Sequence, residues 1–368
     1  MTSSAVERSQ TDITESEAAV YDRQIRLWGL EAQQRMRNST VLIIGLQSLA
    51  AETIKNIVLA GIGRLIIMDS QEVTERDLGA GFLFRERDGV VGQKRVTAAL
   101  PQIQSLNPLV TVTALTATTP FIYHDSAPED QYQKIQAYIK EENVDIVCIV
   151  EASTQDVTNI NDACRQTKTL FYSAATYGLT GYIFSDLGAQ YEFAAQSTEV
   201  VKANESSKMV PKQASCVAFR ELWIPDHSPF KGKNKRPTLA LNPGFFCALF
   251  ALWDYEQQHG ALPLPSSDLE GVKIELQAFA EKFRQKSFIN VAAFPTINQT
   301  LINHLATHAT HEFNPTSAVL GGILAQDILR AISRSGTPIL NFLIFDGISV
   351  GEGAANSGGG IVVPWGRS

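Results

Sequence analysis

The chain has 368 residues, 44% of them apolar and 19% charged, a composition that suits a folded globular protein with a sizeable core. Its net charge of −7 argues against a general binder of nucleic acid or anionic membrane, and no apolar run approaches the ~20 residues that span a bilayer. Residues 1–20 are rich in Ser, Thr and Glu without an apolar stretch, so they read as a disordered tail rather than a secretion signal. The cysteines, Cys148, Cys164, Cys216 and Cys247, lie far apart and form no C-x-x-C pair. Free thiols in a reducing compartment are therefore expected.

In chain order, the apolar run VLIIG at 41–45 predicts a parallel strand buried on both faces. A helix follows, with Ile54, Ile57 and Val58 at helical spacing and Gly61 placed to close it. LIIMD at 65–69, TVTALTA at 111–117 and DIVCIV at 145–150 read as further strands, with helices near 129–142 and 156–167 and another strand near 170–174. This β-α-β-α order specifies an α/β, doubly wound, Rossmann-like and mostly parallel sheet with helices on both faces.

The pattern then changes. GYIFSDLGAQYEF at 181–193 alternates on either side of a glycine turn, the signature of an antiparallel hairpin. Residues 195–237 are polar and irregular, and 244–310 look helical. Within 313–338 an amphipathic helix carries Leu320, Leu324, Ile328 and Ile332, with Gly336 and Pro338 ending it, and ILNFLIFDG at 339–347 is a last strand. The expected organisation is a first part of the α/β domain at 21–194 and an insertion at 195–310, made of a flexible loop and then a helical region. A returning helix and strand at 311–350 complete the domain before a Gly-rich tail at 351–368.

A nucleotide-binding turn after the first strand would read G-x-G-x-x-G, so that backbone N–H groups approach phosphates at a helix N-terminus. Here it reads Gly45-Leu46-Gln47-Ser48-Leu49-Ala50. Only the first glycine remains, and Gln47 puts a side chain where close phosphate approach needs none. Asp69 ends the second strand where a ribose-binding acid would sit, although strand-ending aspartates are common.

The segment YDRQIRLWGLEAQQRMRNSTVLIIGLQSLAAETIKNIVLAGIG at 21–63, together with 169–188 and 318–347, closely resembles the ubiquitin-like-protein activating enzymes of the MoeB/ThiF superfamily. Within that family the chain is most similar to the smaller, non-catalytic subunits of heterodimeric members, and its length favours those that activate SUMO-type modifiers. The resemblance implies a ThiF/MoeB-type adenylation fold. Active members carry a Gly-rich turn, an Asn-x-Asn-Arg segment, an adenylation lysine and a metal-binding aspartate. At those places this chain has the altered turn, Glu75-Arg76-Asp77-Leu78-Gly79, Arg95 next to Lys94, and Thr154 with Asp156 two residues on. A degenerate pocket at Gly45, Gln47, Ala50, Asp69, Arg95 and Thr154 is therefore expected, with no nucleotide or metal held by this chain. Loss of the metal acid weighs most, because pyrophosphate departure needs charge neutralisation.

One family residue is retained. The motif Tyr21-Asp22-Arg23-Gln24-Ile25 places on Arg23 the role of an arginine presented in trans to the partner's ATP site, with Arg26 one turn later. Taken alone, Arg23 reads first as a helix-surface residue paired with Asp22 or Glu31. Cys148, Cys164 and Cys247 lie in apolar contexts, and Cys216 lacks the family's proline-cysteine-threonine surroundings, so the thioester nucleophile is expected on the partner. His304, His308 and His311 have a spacing compatible with zinc, but no acidic or cysteine ligand completes a site. Lys231, Lys233, Lys235 and Arg236 form a basic run that suits either a solvated loop or a nuclear import signal.

These readings imply the regulatory half of a heterodimeric activating enzyme, nuclear and also cytoplasmic, that binds neither nucleic acid nor membrane. Its larger catalytic partner would hold ATP and Mg²⁺ and receive the SUMO-like modifier. The alternatives are a self-sufficient homodimeric adenylyltransferase of the MoeB/ThiF kind, or the same subunit serving another ubiquitin-like protein.

Overall fold

A computed structural model describes residues 12–123, 129–196, 209–265, 268–348 and 361–365. Three short helices open the described chain: α1 (Glu15–Val20), α2 (Asp22–Trp28) and α3 (Leu30–Arg37). The expected tail at 1–20 is thus helical from Glu15 onward. Thr14 and Glu17 form a reciprocal capping box, and Glu17 pairs with Arg37 of α3 at 2.8 Å. Residues 1–11 lie outside the described part.

The parallel half follows as β1 (Thr40–Ile44), α4 (Ser48–Leu59), β2 (Arg64–Met68), α5 (Glu75–Ala80), α6 (Arg95–Leu106), β3 (Thr111–Leu115), α7 (Gln131–Glu141), β4 (Ile146–Val150), α8 (Thr154–Thr167) and β5 (Leu170–Tyr177). β6 (Thr180–Asp186), β7 (Tyr191–Gln196) and β8 (Met209–Ala214) come next. The chain continues with α9 (Lys235–Ala240), α10 (Pro243–His259), α11 (Leu269–Lys286), α12 (Gln299–His308) and α13 (Asn314–Ser333), then β9 (Asn341–Asp346) and β10 (Ile361–Val363).

The main sheet has eight strands in the order β10-β9-β6-β5-β4-β1-β2-β3. β3, β2, β1, β4 and β5 are parallel, which is the Rossmann arrangement, and β6, β9 and β10 extend it antiparallel. The fold class expected from the sequence is the one observed. Alternate residues of β1 serve opposite faces: Val41 and Ile43 pack beneath α4, α6 and α13, whereas Leu42 and Ile44 pack beneath α7, α8 and α10. That two-sided burial is why these strands read as unbroken apolar runs.

The second half departs from the reading in three places. The expected hairpin at 181–193 does not form. β6 pairs instead with β5, through the turn at Gly178 and Leu179, while β7 pairs with β8 in a separate two-stranded sheet. Local alternation marks a strand but does not choose its partner. Within 195–237, residues 209–237 are structured as β8, short 3₁₀ turns at Phe219–Trp223 and Pro225–His227, and the start of α9, with Phe230 wholly buried. Residues 197–208 lie outside the described part. The helix expected after that stretch, α10, belongs to the core: twelve of its seventeen residues are buried, and Trp253 packs edge-on against Tyr182 of the sheet. In the Gly-rich tail, β10 pairs antiparallel with β9 and Trp365 stacks on Phe250. Residues 349–360 and 366–368 lie outside the described part.

Candidate functional site

In a doubly wound sheet, ligands bind beyond the carboxyl ends of the strands where the strand order reverses, here between β1 and β4. Two helix N-termini point into that crevice, α4 after β1 and α8 after β4. Gly45 leaves β1 at φ +90°, a conformation side chains rarely adopt, and a Cβ there would lie 3.0 Å from the Val150 carbonyl oxygen. This explains why the first glycine of the turn persists although the others do not.

The α4 N-terminus is already occupied. The backbone N–H of Ser48 donates to the carboxylate of Glu312 at 2.8 Å, across 264 residues of sequence. The Ser48 hydroxyl donates to the Ala80 carbonyl. The space left between Gln47, Ser48, Asp77 and Glu312 is about 10 Å³, room for about one water molecule. Ala50 is buried inside the first turn of α4.

The α8 N-terminus is filled in the same way. The backbone N–H of Thr154 donates to Glu256 of α10 at 3.0 Å, while Ser153 and Asp156 cap each other's groups. Ser153 is the cap: its hydroxyl accepts the Asp156 N–H at 3.2 Å and donates to the Asp156 carboxylate at 2.6 Å.

Asp69 is used by its own turn. One carboxylate oxygen accepts the Leu46 N–H and the other the Gln71 N–H, both at 2.7 Å. The structure also separates Lys94 from Arg95. Lys94 turns outward to the Ser70 carbonyl and Glu72, whereas Arg95 points inward, 2.9 Å from Asp77 and 3.6 Å from Asp69. Arg95 is therefore the cation that enters the site. Asp77, in the place of the family's Asn-x-Asn-Arg segment, is buried and caps α5 through Thr74.

Electrostatically the crevice is crowded with acids. Burial, and then the nearby Glu312 carboxylate, push Glu151 up to about 8, even though it accepts two hydrogen bonds from Thr176. Burial also raises Glu312, with the Asp77 carboxylate adding and the Ser48 N–H, Arg95 and Arg76 opposing. Glu256 is raised by burial against its bonds from Thr154. Within this group a carboxylate holds the Ser48 N–H, and Arg95 is engaged by two aspartates.

Arg23 takes part in none of these contacts. It is exposed on α2, a helix with no buried residue, and has no hydrogen bond or ion pair among the described residues. The surface-pair reading fails, because Asp22 pairs with Arg26 and Glu31 with Arg35. Arg26 is thereby accounted for on its own helix. The base of α2 is fixed by Tyr21, which is buried, lies over Gly61 and accepts a hydrogen bond from Asn107 at 2.8 Å.

All four cysteines are buried and free. Burial pushes the Cys216 thiol up to about 11 and Cys148 to about 12, and raises Cys164 and Cys247 as well. Cys216 sits beside the Arg165–Asp186 pair, with its carbonyl accepting from Arg165 at 2.5 Å. The histidines do come together, but as a stack: His304 and His308 lie 4.6 Å apart, and His308 meets His311 at 5.3 Å. The His304 Nε2 is 2.8 Å from the Tyr177 carbonyl, so this ring braces the β5–β6 turn. No group of three or more His, Cys, Asp or Glu is placed to hold a metal among the described residues, and none of the described helices is long and apolar enough to cross a membrane.

Sequence reasoning missed Glu312, Glu256 and Glu151. Nothing local marks them, because each acts on a helix end or strand remote in sequence. Tyr21 was within reach, as the apolar residue heading the Arg23 motif.

The sequence profile of the ThiF family matches residues 21–354. The chain is 33% identical over 349 residues to SUMO-activating enzyme subunit 1 of Rattus norvegicus, covering 91% of this chain and 93% of that protein. It is 32% identical over 360 residues to the subunit 1 of Danio rerio (93% and 95% covered) and 32% over 355 residues to that of Homo sapiens (91% and 94%). Among solved structures, the crystal structure of selenomethionine PaaA superposes with a TM-score of 0.51 at 13% identity, over 94% of this chain and 74% of that one, a likeness of fold alone. The chain belongs to the ThiF family.

Proposed function

We propose that this chain is the smaller, non-catalytic subunit of a heterodimeric SUMO-activating enzyme, contributing Arg23 in trans to its partner. The carrying observation is a contrast within one molecule. The helix end that would receive phosphate is capped by the chain's own Glu312, while Arg23 stands exposed and unpaired, among the described residues, on a helix with no buried residue. The similarity to subunit 1 proteins supports the choice of modifier and the need for a second subunit.

In this reading the partner holds ATP and Mg²⁺ and the modifier's C-terminal glycine, and its cysteine takes the acyl group. This chain's part is positional and electrostatic. Tyr21 anchors the base of α2, and the permanently charged, planar guanidinium of Arg23 meets negative charge that grows on the leaving pyrophosphate. The buried thiols of this chain take no part. Nuclear residence through the basic run at 231–236 belongs to the same proposal.

ATP–pyrophosphate exchange separates the readings. The purified chain alone should show none, and the reconstituted pair should exchange in the presence of modifier. Arg23→Ala should leave pairing intact by size-exclusion chromatography and slow exchange by about 10²-fold or more, the scale of removing one preorganised charge donor. Robust exchange by the single chain would overturn the proposal in favour of a self-sufficient adenylyltransferase.

A further inference from the structure

Away from the strand ends, the 3₁₀ turns after β8 and the C-terminal half of α11 enclose a surface cavity of about 190 Å³. Its apolar lining comes from Leu222, Trp223, Ile224, Pro225 and Phe283. This volume falls short of the ~300 Å³ at which small-molecule sites begin, but it accepts a single aliphatic side chain.

Its rim is basic. Lys282 and Lys286 stand one helical turn apart on α11, both exposed, and neither has an ion pair among the described residues. Asp254 is the one acid in the lining; burial raises it, and the two lysines oppose that shift. The run of cations from Lys231 to Arg236 is held alongside. The Ser228 hydroxyl donates to the Ser287 carbonyl at 2.5 Å, and the Lys231 ammonium lies 5.5 Å over the Phe288 ring while pairing with Asp226. On a chain of net charge −7, this face inverts the sign of the whole.

Two apolar side chains beside this rim face solvent. Ile224 is 43% exposed and Phe288 48% exposed, and Phe288 is held at φ +57°, a conformation that bulky residues rarely take. A strained aromatic that gains little burial inside its own chain is a poor bargain for folding alone. Aliphatic surface flanked by cations matches a partner whose apolar side chain is flanked by carboxylates.

We propose that the Trp223–Lys286 cavity and its basic rim dock an extended acidic segment of a partner protein. One bulky aliphatic side chain of that segment fills the cavity, and neighbouring carboxylates meet Lys282 and Lys286. The pocket favours a peptide over a nucleic acid or a lipid surface, since neither of those presents a side-chain-sized aliphatic group between anions. The surface is separate from the crevice at the strand ends and does not depend on how that crevice is read.

The test is fluorescence anisotropy with the full chain and a labelled synthetic peptide of about a dozen residues, a central leucine set among glutamates, at low ionic strength where a ~10 Å Debye length leaves such contacts intact. Saturable binding is expected. It should weaken about tenfold when Lys282→Glu and Lys286→Glu are combined, when Ile224→Glu is introduced alone, or when the peptide leucine becomes alanine. All three protein positions are exposed, so circular dichroism should show the fold unchanged. Absence of saturable binding would overturn the proposal, as would equal binding by the leucine-free peptide. Tighter binding of a single-stranded oligonucleotide, sensitive to the same lysine changes, would replace it with a nucleic-acid surface.

Discussion

The carboxylate of Glu312 and the backbone N–H of Ser48 lie 2.8 Å apart, joining the residue just before α13 to the first turn of α4. This contact satisfies an orphan donor and places negative charge at the positive end of a twelve-residue helix. Glu312→Ala is expected to lower stability by about 1–2 kcal/mol, the value of a charge-assisted helix cap. Urea denaturation followed by tryptophan fluorescence measures it, and an unchanged midpoint would show the contact to be incidental.

Glu151 sets a pH dependence. Its carboxyl moves from the ordinary 4.5 up to about 8 in the folded chain, so between those values the folded state keeps a proton that the unfolded state has lost. The stability it contributes is complete below about 4.5 and is lost as pH rises through about 8. Glu151→Gln keeps an acceptor for Thr176 and should flatten the decline in urea midpoint between mildly acidic and mildly alkaline pH. Glu312 and Glu256 shift in the same direction, so part of the slope should remain. An identical slope in the variant would remove Glu151 from the explanation.

The thiols make a third prediction. All four are buried, with Cys216 pushed to about 11 and Cys148 to about 12, so little thiolate exists at neutral pH. An aromatic disulfide reagent should label none of them quickly in the native protein and all of them in denaturant. Rapid labelling of one thiol in the folded chain would contradict the burial described.

Tyr21 and Gly61 are coupled. A Cβ on Gly61 would fall 2.4 Å from the Tyr21 ring, and Gly61 adopts φ +80°. Gly61→Ala should therefore destabilise by about 1–3 kcal/mol through overpacking and backbone strain together. In a Tyr21→Ala background the same change should cost less, because only the backbone part remains. Strict additivity in this double-mutant cycle would mean that the ring does not hold the base of α2.

Much of this was legible in the chain itself. The parallel strands announced themselves because burial on both faces demands unbroken apolar runs, as in Val41 to Ile44 and Ile146 to Val150. The turn at Gly45 was readable because a positive φ followed by a helix leaves a local mark.

Tertiary structure alone decided the rest. The partner of β7 is β8 and not β6, since alternation specifies which face of a strand is buried but not which edge it meets. Arg95 faces the site and Lys94 faces solvent because the start of α6 is fixed by contacts with Asp69 and Asp77 from other elements. What fills the two helix ends was invisible, because Glu312 and Glu256 reach them across 264 and 102 residues. Backbone periodicity and capping are local and leave their trace in neighbouring residues. A carboxylate that reaches a helix end from a remote element is placed by the packing of the whole sheet, and no short stretch of sequence carries that information.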